Sequence, residues 1–124
     1  LDVFRRCDVV ILALPASAAT VGLITSEHLE ALAGGWLVNV GRGNVIDEDA
    51  LVRALASGTL RGAGLDVTAV EPLPETSPLW EMPQVIVTPH MAWASERVSG
   101  RLASIVDRNA RAFAGQGPWL NRVV

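Results

Sequence analysis

The chain has 124 residues, half of them apolar, with ten basic and thirteen acidic side chains and a formal net charge of −3. That length suits one domain and not comfortably two, the apolar share permits a sizeable core, and the near-balanced charge argues against a nucleic-acid or anionic-membrane surface. There is no lysine, hence no phosphate-loop lysine, and the single Cys7 excludes an intramolecular disulfide or a cysteine metal cluster; a buried free thiol in a reducing cytoplasm is the expectation.

The chain opens without an initiator Met on what reads as the last turn of a helix, so a truncated N-terminus is expected. Val9–Leu14 is a continuous apolar run, too short to span a bilayer and suited to a strand covered on both faces. Thr25 or Ser26 can cap a short helix carrying Leu29 and Leu32, which Gly34-Gly35 ends. Trp36–Val40 reads as a second strand. Asp47 then caps a helix with Glu48 and Asp49 in its first turn and Leu51 and Leu55 on one face, and Gly58 stands where a left-handed C-terminal cap belongs. A third strand is predicted around Ala63–Val67, a proline-rich loop over 68–83, and a fourth strand at Val85–Thr88. The last helix is predicted over about Ser95–Ala114. Val98, Leu102, Ile105, Val106, Asn109 and Phe113 recur on it at helical spacing, with Arg97, Arg101, Arg108 and Arg111 on a solvated face.

Short strands alternating with helices predict an α/β domain with a parallel sheet. In such a sheet ligands bind beyond the carboxyl ends of the strands, and each predicted strand here ends on unusual residues: Pro15, Gly41-Arg42-Gly43, Asp66 and Pro89-His90. Arg42, between two glycines, can grip a carboxylate through its planar fork. His90, after a strand-end proline, can give or take a proton near neutral pH. Glu71, held extended by Pro72, can orient an imidazole by a hydrogen bond. Taken singly, each also fits a plainer role: a surface arginine in a turn, a structural histidine, a loop acid. His28 lacks such a context and is expected to be structural. Neither Gly41-Arg42-Gly43 nor Gly62-Ala63-Gly64 has the third glycine of the dinucleotide fingerprint, and no His/Cys metal set is present.

In order and spacing, LALPASAATVGLI, LVNVGRGNVIDEDALVRALASGTLRGAGLDVTAVEP and SPLWEMPQVIVTPHMAWAS resemble the D-isomer-specific 2-hydroxyacid dehydrogenases over nearly the whole chain. The resemblance implies the later part of a doubly wound parallel, Rossmann-like sheet of about four strands with a long C-terminal helix. Residues 1–114 would be a partial NAD(P)-binding domain lacking its first βαβ unit, and 115–124 a tail running back towards an absent substrate domain. It implies that Arg42 binds the substrate carboxylate, that His90 donates the proton, and that Glu71 keeps His90 protonated. It places Pro15, Val40, Gly41, Arg42, Asp66, His90 and Ala92 around the nicotinamide and its ribose.

Further expectations follow from the resemblance. The cofactor would be NAD or NADP, with NAD favoured, the substrate a small 2-oxo or 2-hydroxy acid, and the full-length protein a homodimer. Formate dehydrogenases of the same superfamily carry Gln where Glu71 stands, which favours a 2-hydroxy acid. Trp93, where many members have Gly, is similar to the glycerate dehydrogenase (hydroxypyruvate reductase) branch and would lie near the substrate. It is also similar to the C-terminal-binding-protein corepressors, so an NAD(H)-sensing binding protein is the alternative. The 124 residues alone are expected to be inactive.

Overall fold

The computed structural model describes residues 1–121 and divides into two compact units, Leu1–Ala92 and Trp93–Val124. Three residues of the predicted tail, 122–124, lie outside the described part. In the first unit the order is α1 (Asp2–Arg6), β1 (Val9–Leu12), α2 (Ser26–Ala31), β2 (Trp36–Asn39), α3 (Glu48–Ala56), β3 (Gly62–Leu65) and β4 (Val85–Val87), with single 3₁₀ turns at Gly43–Val45 and Pro78–Glu81. The strands form one wholly parallel sheet in the order β1-β2-β3-β4, with Ile11 opposite Val38, Val38 opposite Gly64 and Gly64 opposite Ile86. The predicted α/β architecture is therefore present, with each strand a residue or two shorter than its apolar run.

α3 shows how local sequence sets an element. The Asp47 carboxylate accepts the Ala50 amide at 3.0 Å, a cap worth about 0.5–2 kcal/mol. Leu51 and Leu55 are each 1% exposed, and each such burial contributes about 1.5–3 kcal/mol. Gly58, at φ +73°, takes the left-handed turn that ends the helix. Thr25 caps α2, where its hydroxyl lies 3.1 Å from His28 Nδ1 and the His28 ring packs edge-on against Phe4 at 5.2 Å. His28 is thus structural, as expected.

Two expectations change. Val10, Leu12, Leu37, Ala63 and Leu65 are buried with Leu29, Leu51 and Leu55 in the core, but Val9 (50% exposed), Ile11 (64%) and Ile86 (69%) are not. β1 is thus covered on one face and not on both. A monotonic strand order with crossovers of one hand puts the connecting helices on the same side of the sheet, and α2 and α3 pack against each other there. Cys7 is exposed rather than buried: it ends α1 at the turn into β1, outside the position through which that helix joins the core, Phe4.

In the second unit α4 spans Val98–Phe113, shorter than predicted at its start, where no side chain caps it. Its arginines are exposed, as expected, and Arg111 meets Asp107 at 3.0 Å. Its predicted apolar face is only partly covered: Val98, Ile105 and Asn109 are half-buried, whereas Leu102, Val106 and Phe113 are exposed. Asn109 brackets Leu120, accepting its amide at 2.8 Å and donating to its carbonyl at 3.1 Å, so the chain after α4 turns back onto the helix. No helix among the described residues is long and apolar enough to cross a membrane.

Candidate active site

The four strand ends are stitched together by backbone contacts. A Cβ on Gly41 would lie 2.6 Å from the Leu14 carbonyl oxygen, and one on Gly43 would overlap the Thr68 carbonyl. The two glycines around Arg42 therefore let the β2 loop press against the β1 loop on one side and the β3 loop on the other. Asn39, fully buried at the end of β2, holds the turn between them: its side chain donates to the Arg42 carbonyl at 3.0 Å and accepts the Gly41 amide at 3.1 Å. Arg42 itself is exposed, with one guanidinium N–H donating to the Gly41 carbonyl at 2.7 Å.

Beyond β3, Glu71 lies in a loop anchored at several points. The Glu71 carboxylate accepts the Thr68 amide at 3.2 Å, the Thr68 hydroxyl donates to the Val70 carbonyl at 2.8 Å, and Glu48 at the start of α3 accepts the Ala69 amide at 2.8 Å. His90, after β4, brings its Nδ1 to 2.8 Å from Glu71 Oε2, with each side chain about two-fifths exposed. His90 also has φ +51°, a left-handed conformation that costs an L-residue about 1–2 kcal/mol.

Asp66 is hydrogen-bonded to the segment on both sides of that residue. Only 6% exposed, it accepts the Thr88 hydroxyl at 2.5 Å, the Met91 amide at 2.9 Å and the Ala92 amide at 2.7 Å, while its own carbonyl accepts the His90 amide at 2.9 Å. Burial pushes the Asp66 carboxyl up, but the hydrogen bonds from Thr88, Ala92 and Met91 and the charge of His90 outweigh it and hold it below the usual carboxylate range. Glu71 is also held low, chiefly by the His90 hydrogen bond, against an opposing push from burial, with help from the Thr68 amide and the His90 and Arg42 charges. Arg42 follows β2, Glu71 follows β3 and His90 follows β4, so the three stand at adjacent strand ends of one parallel sheet. A cavity of about 430 Å³ opens beside the pair, bounded by Asp66, Glu71, Leu73, Trp80, Val87 and His90.

All seven positions expected around a cofactor belong to the first unit. Pro15, whose carbonyl accepts the Thr20 hydroxyl at 2.7 Å, follows β1, Val40 and Gly41-Arg42 follow β2, Asp66 follows β3, and His90 and Ala92 follow β4. The chemistry of the donor set fits a nicotinamide. Val40 is an exposed apolar surface at the sheet's carboxyl edge, and a carboxylate offers about four acceptor sites, of which Asp66 uses three. Trp93 lies in the second unit and is 68% exposed. No cluster of potential metal ligands occurs among the described residues. The sequence reading did not single out Asn39, Thr88 or Glu48 for this site. A polar residue closing an otherwise apolar strand, as Asn39 and Thr88 do, is the available signal for two of them.

Fold and site together define a parallel α/β domain of the dinucleotide-binding class with an imidazole–carboxylate pair at its strand ends. The chain belongs to the D-isomer specific 2-hydroxyacid dehydrogenase family, since residues 1–92 match the model of that family's NAD binding domain. A putative 2-hydroxyacid dehydrogenase of Haemophilus influenzae is 42% identical over 120 residues, covering 93% of this chain and 38% of that protein. A D-isomer specific 2-hydroxyacid dehydrogenase of Xanthobacter autotrophicus Py2, solved with NADPH and MES, superposes with TM-score 0.81 at 44% identity, over 94% of this chain and 48% of that one. An NADPH-dependent glyoxylate/hydroxypyruvate reductase of Sinorhizobium meliloti, solved with NADP and malonate, gives 0.80 at 38% identity over 99% and 39%. The chain spans 35–38% of the length of the first curated relatives it matches.

Proposed function

We propose that the protein containing these residues interconverts a small 2-oxo acid and its D-2-hydroxy acid, and that this chain supplies the acid–base and carboxylate-binding side of the site. The observation that carries the proposal is the 2.8 Å contact between His90 Nδ1 and Glu71, with Arg42 after the adjacent strand β2. Arg42 binds the substrate carboxylate and polarises the 2-oxo group. Glu71 fixes the ring of His90, which serves as the acid–base group for the substrate oxygen. In the reductive direction a C–H bond forms at C2, the carbonyl π bond opens, and His90 passes its proton to the oxygen. The hydride that reaches C2 is the contribution of a bound nicotinamide, which Val40, Asp66 and Ala92 would hold.

The sequence reading favours NAD, whereas the named solved relatives were crystallised with NADPH or NADP. Parallel assays with NADH and NADPH decide between them. A cytoplasmic, homodimeric full-length protein accompanies this reading. The pyrophosphate-binding glycine fingerprint is not among these residues, so the 124-residue chain alone is expected to show no turnover. In a protein of the relatives' length, reduction of glyoxylate or hydroxypyruvate that is lost in Arg42→Ala and His90→Ala supports the proposal. Undiminished rates in both variants refute the assigned roles.

A further inference from the structure

We infer that Thr88 and Asp66 form a clamp whose task is to hold His90 on Glu71, which makes both of them positioning residues for the acid–base pair. The inference rests on the reading of Glu71 and His90 as that pair, and it assigns Thr88 a role that neither the sequence pattern nor the relatives' names suggest.

The geometry leads there directly. His90 has φ +51°, where the backbone of an L-residue does not rest unaided. Three donors from the segment on either side of it converge on one buried carboxylate: the Thr88 hydroxyl from two residues before, and the Met91 and Ala92 amides from one and two residues after. The His90 amide itself is tied to the Asp66 carbonyl at 2.9 Å. The turn is therefore anchored at four points to a single residue at the end of β3, while the imidazole projects 19 residues back along the chain to Glu71. Losing any of the three carboxylate bonds loosens the turn, and an imidazole carried on a loosened turn spends less time on Glu71.

Positioning and simple charge predict opposite signs. Glu71 is held low chiefly by its hydrogen bond from His90, so releasing His90 raises the Glu71 titration midpoint. Deleting a nearby negative charge such as Asp66 lowers that midpoint instead, because like charges disfavour ionisation. Among the described residues, the Thr68 amide and the Arg42 charge also lower Glu71, and neither is altered by a change at residue 66 or 88.

The experiment is a carboxyl ¹³C NMR titration of Glu71 in the labelled 124-residue chain, with amide exchange at Met91 and Ala92 measured in parallel. Asp66→Asn preserves size, removes the charge and sets an NH₂ group against one of the three donors. It is expected to raise the Glu71 midpoint by about half a pH unit or more and to quicken exchange at both amides. Thr88→Val, which leaves the charge in place, should give a smaller rise of the same sign, and Thr88→Ser should restore the parent values. A lowered Glu71 midpoint in Asp66→Asn overturns the inference. So does a Thr88→Val chain with unchanged midpoint and unchanged exchange, which decides the matter should Asp66→Asn fail to fold. None of these readouts requires turnover, so failure of the clamp is distinct from failure of the proposed reaction.

Discussion

The Nδ1 of His90 lies 2.8 Å from Glu71 Oε2, joining the loop after β3 to the turn after β4 at the edge where a parallel sheet presents its ligands. A carboxylate placed there holds the imidazole by its Nδ1 side. In a protein of the relatives' length, His90→Ala is expected to lower kcat/KM for glyoxylate or hydroxypyruvate by about 10²–10⁴-fold, the usual worth of a general acid. Glu71→Gln keeps the shape and removes the charge. Its loss should be smaller and should change the pH–rate profile as well as its height. A flat His90→Ala result would end the assignment of the proton donor.

Arg42 is the test of substrate charge. Hydrogen bonds to charged groups contribute about 1.5–3 kcal/mol, so Arg42→Ala should weaken carboxylate substrates by about 10- to 160-fold, read chiefly in KM. Arg42→Lys should recover little of this, because a point charge cannot reproduce the two parallel bonds of the fork. A lysine variant matching the parent would show that Arg42 contributes field and not geometry.

How much of this was legible beforehand follows from where the information sits. The α3 cap was legible because Asp47 and the Leu51/Leu55 spacing are local. The four strands were legible because apolar runs between glycines and prolines are local too. The strand-end rule brought Arg42, Asp66 and His90 to one edge without coordinates, the Glu71-Pro72 pair singled out Glu71, and the resemblance joined Glu71 to His90. The open face of β1 was not legible, since an apolar run says that a strand can be buried and not what covers it. Nor were the bonds to Asp66: two of its three donors are backbone amides, which leave no mark in a sequence, and the third, Thr88, shows only as a polar residue after an apolar run, with nothing to name its partner. Glu48 read as a first-turn acid suited to the helix dipole, yet its carboxylate reaches across to the Ala69 amide, 21 residues away.

The glycines separate tight approach from open space. Gly43→Ala must move the Thr68–Ala69 backbone, and because that backbone leads into Glu71 the strain falls on the site. Overpacking of this kind costs about 1–3 kcal/mol, visible as a lower urea midpoint in the 124-residue chain. Gly64→Ala is the control. Its new Cβ would meet only Val38 side-chain carbons, at 3.7 and 3.8 Å, and it is expected to stabilise by about 0.4–1 kcal/mol through a less flexible unfolded chain. Equal destabilisation by both variants would mean that close backbone approach at Gly43 is not the reason for a glycine there.

Asp66 and Glu71 also set how the fold responds to acid. Both carboxyls ionise more readily in the folded chain than at their ordinary values of 3.8 and 4.5, so on acidification the unfolded chain takes up protons first. Their contribution to stability is complete above about pH 4.5 and declines as the pH falls through the lower folded values, as linkage requires. Urea unfolding between pH 7 and pH 2 should therefore show a loss concentrated below that point. In Glu71→Gln and in Asp66→Asn the loss should be shallower, because each variant removes one proton-binding difference between the two states. Both variants should start from a lower plateau at pH 7, since the hydrogen bonds that lower the two values are the ones weakened. A parent curve as shallow as those of the variants would mean that the two carboxyls are no more acidic folded than unfolded, and would remove the electrostatic case for a charged pair at this edge.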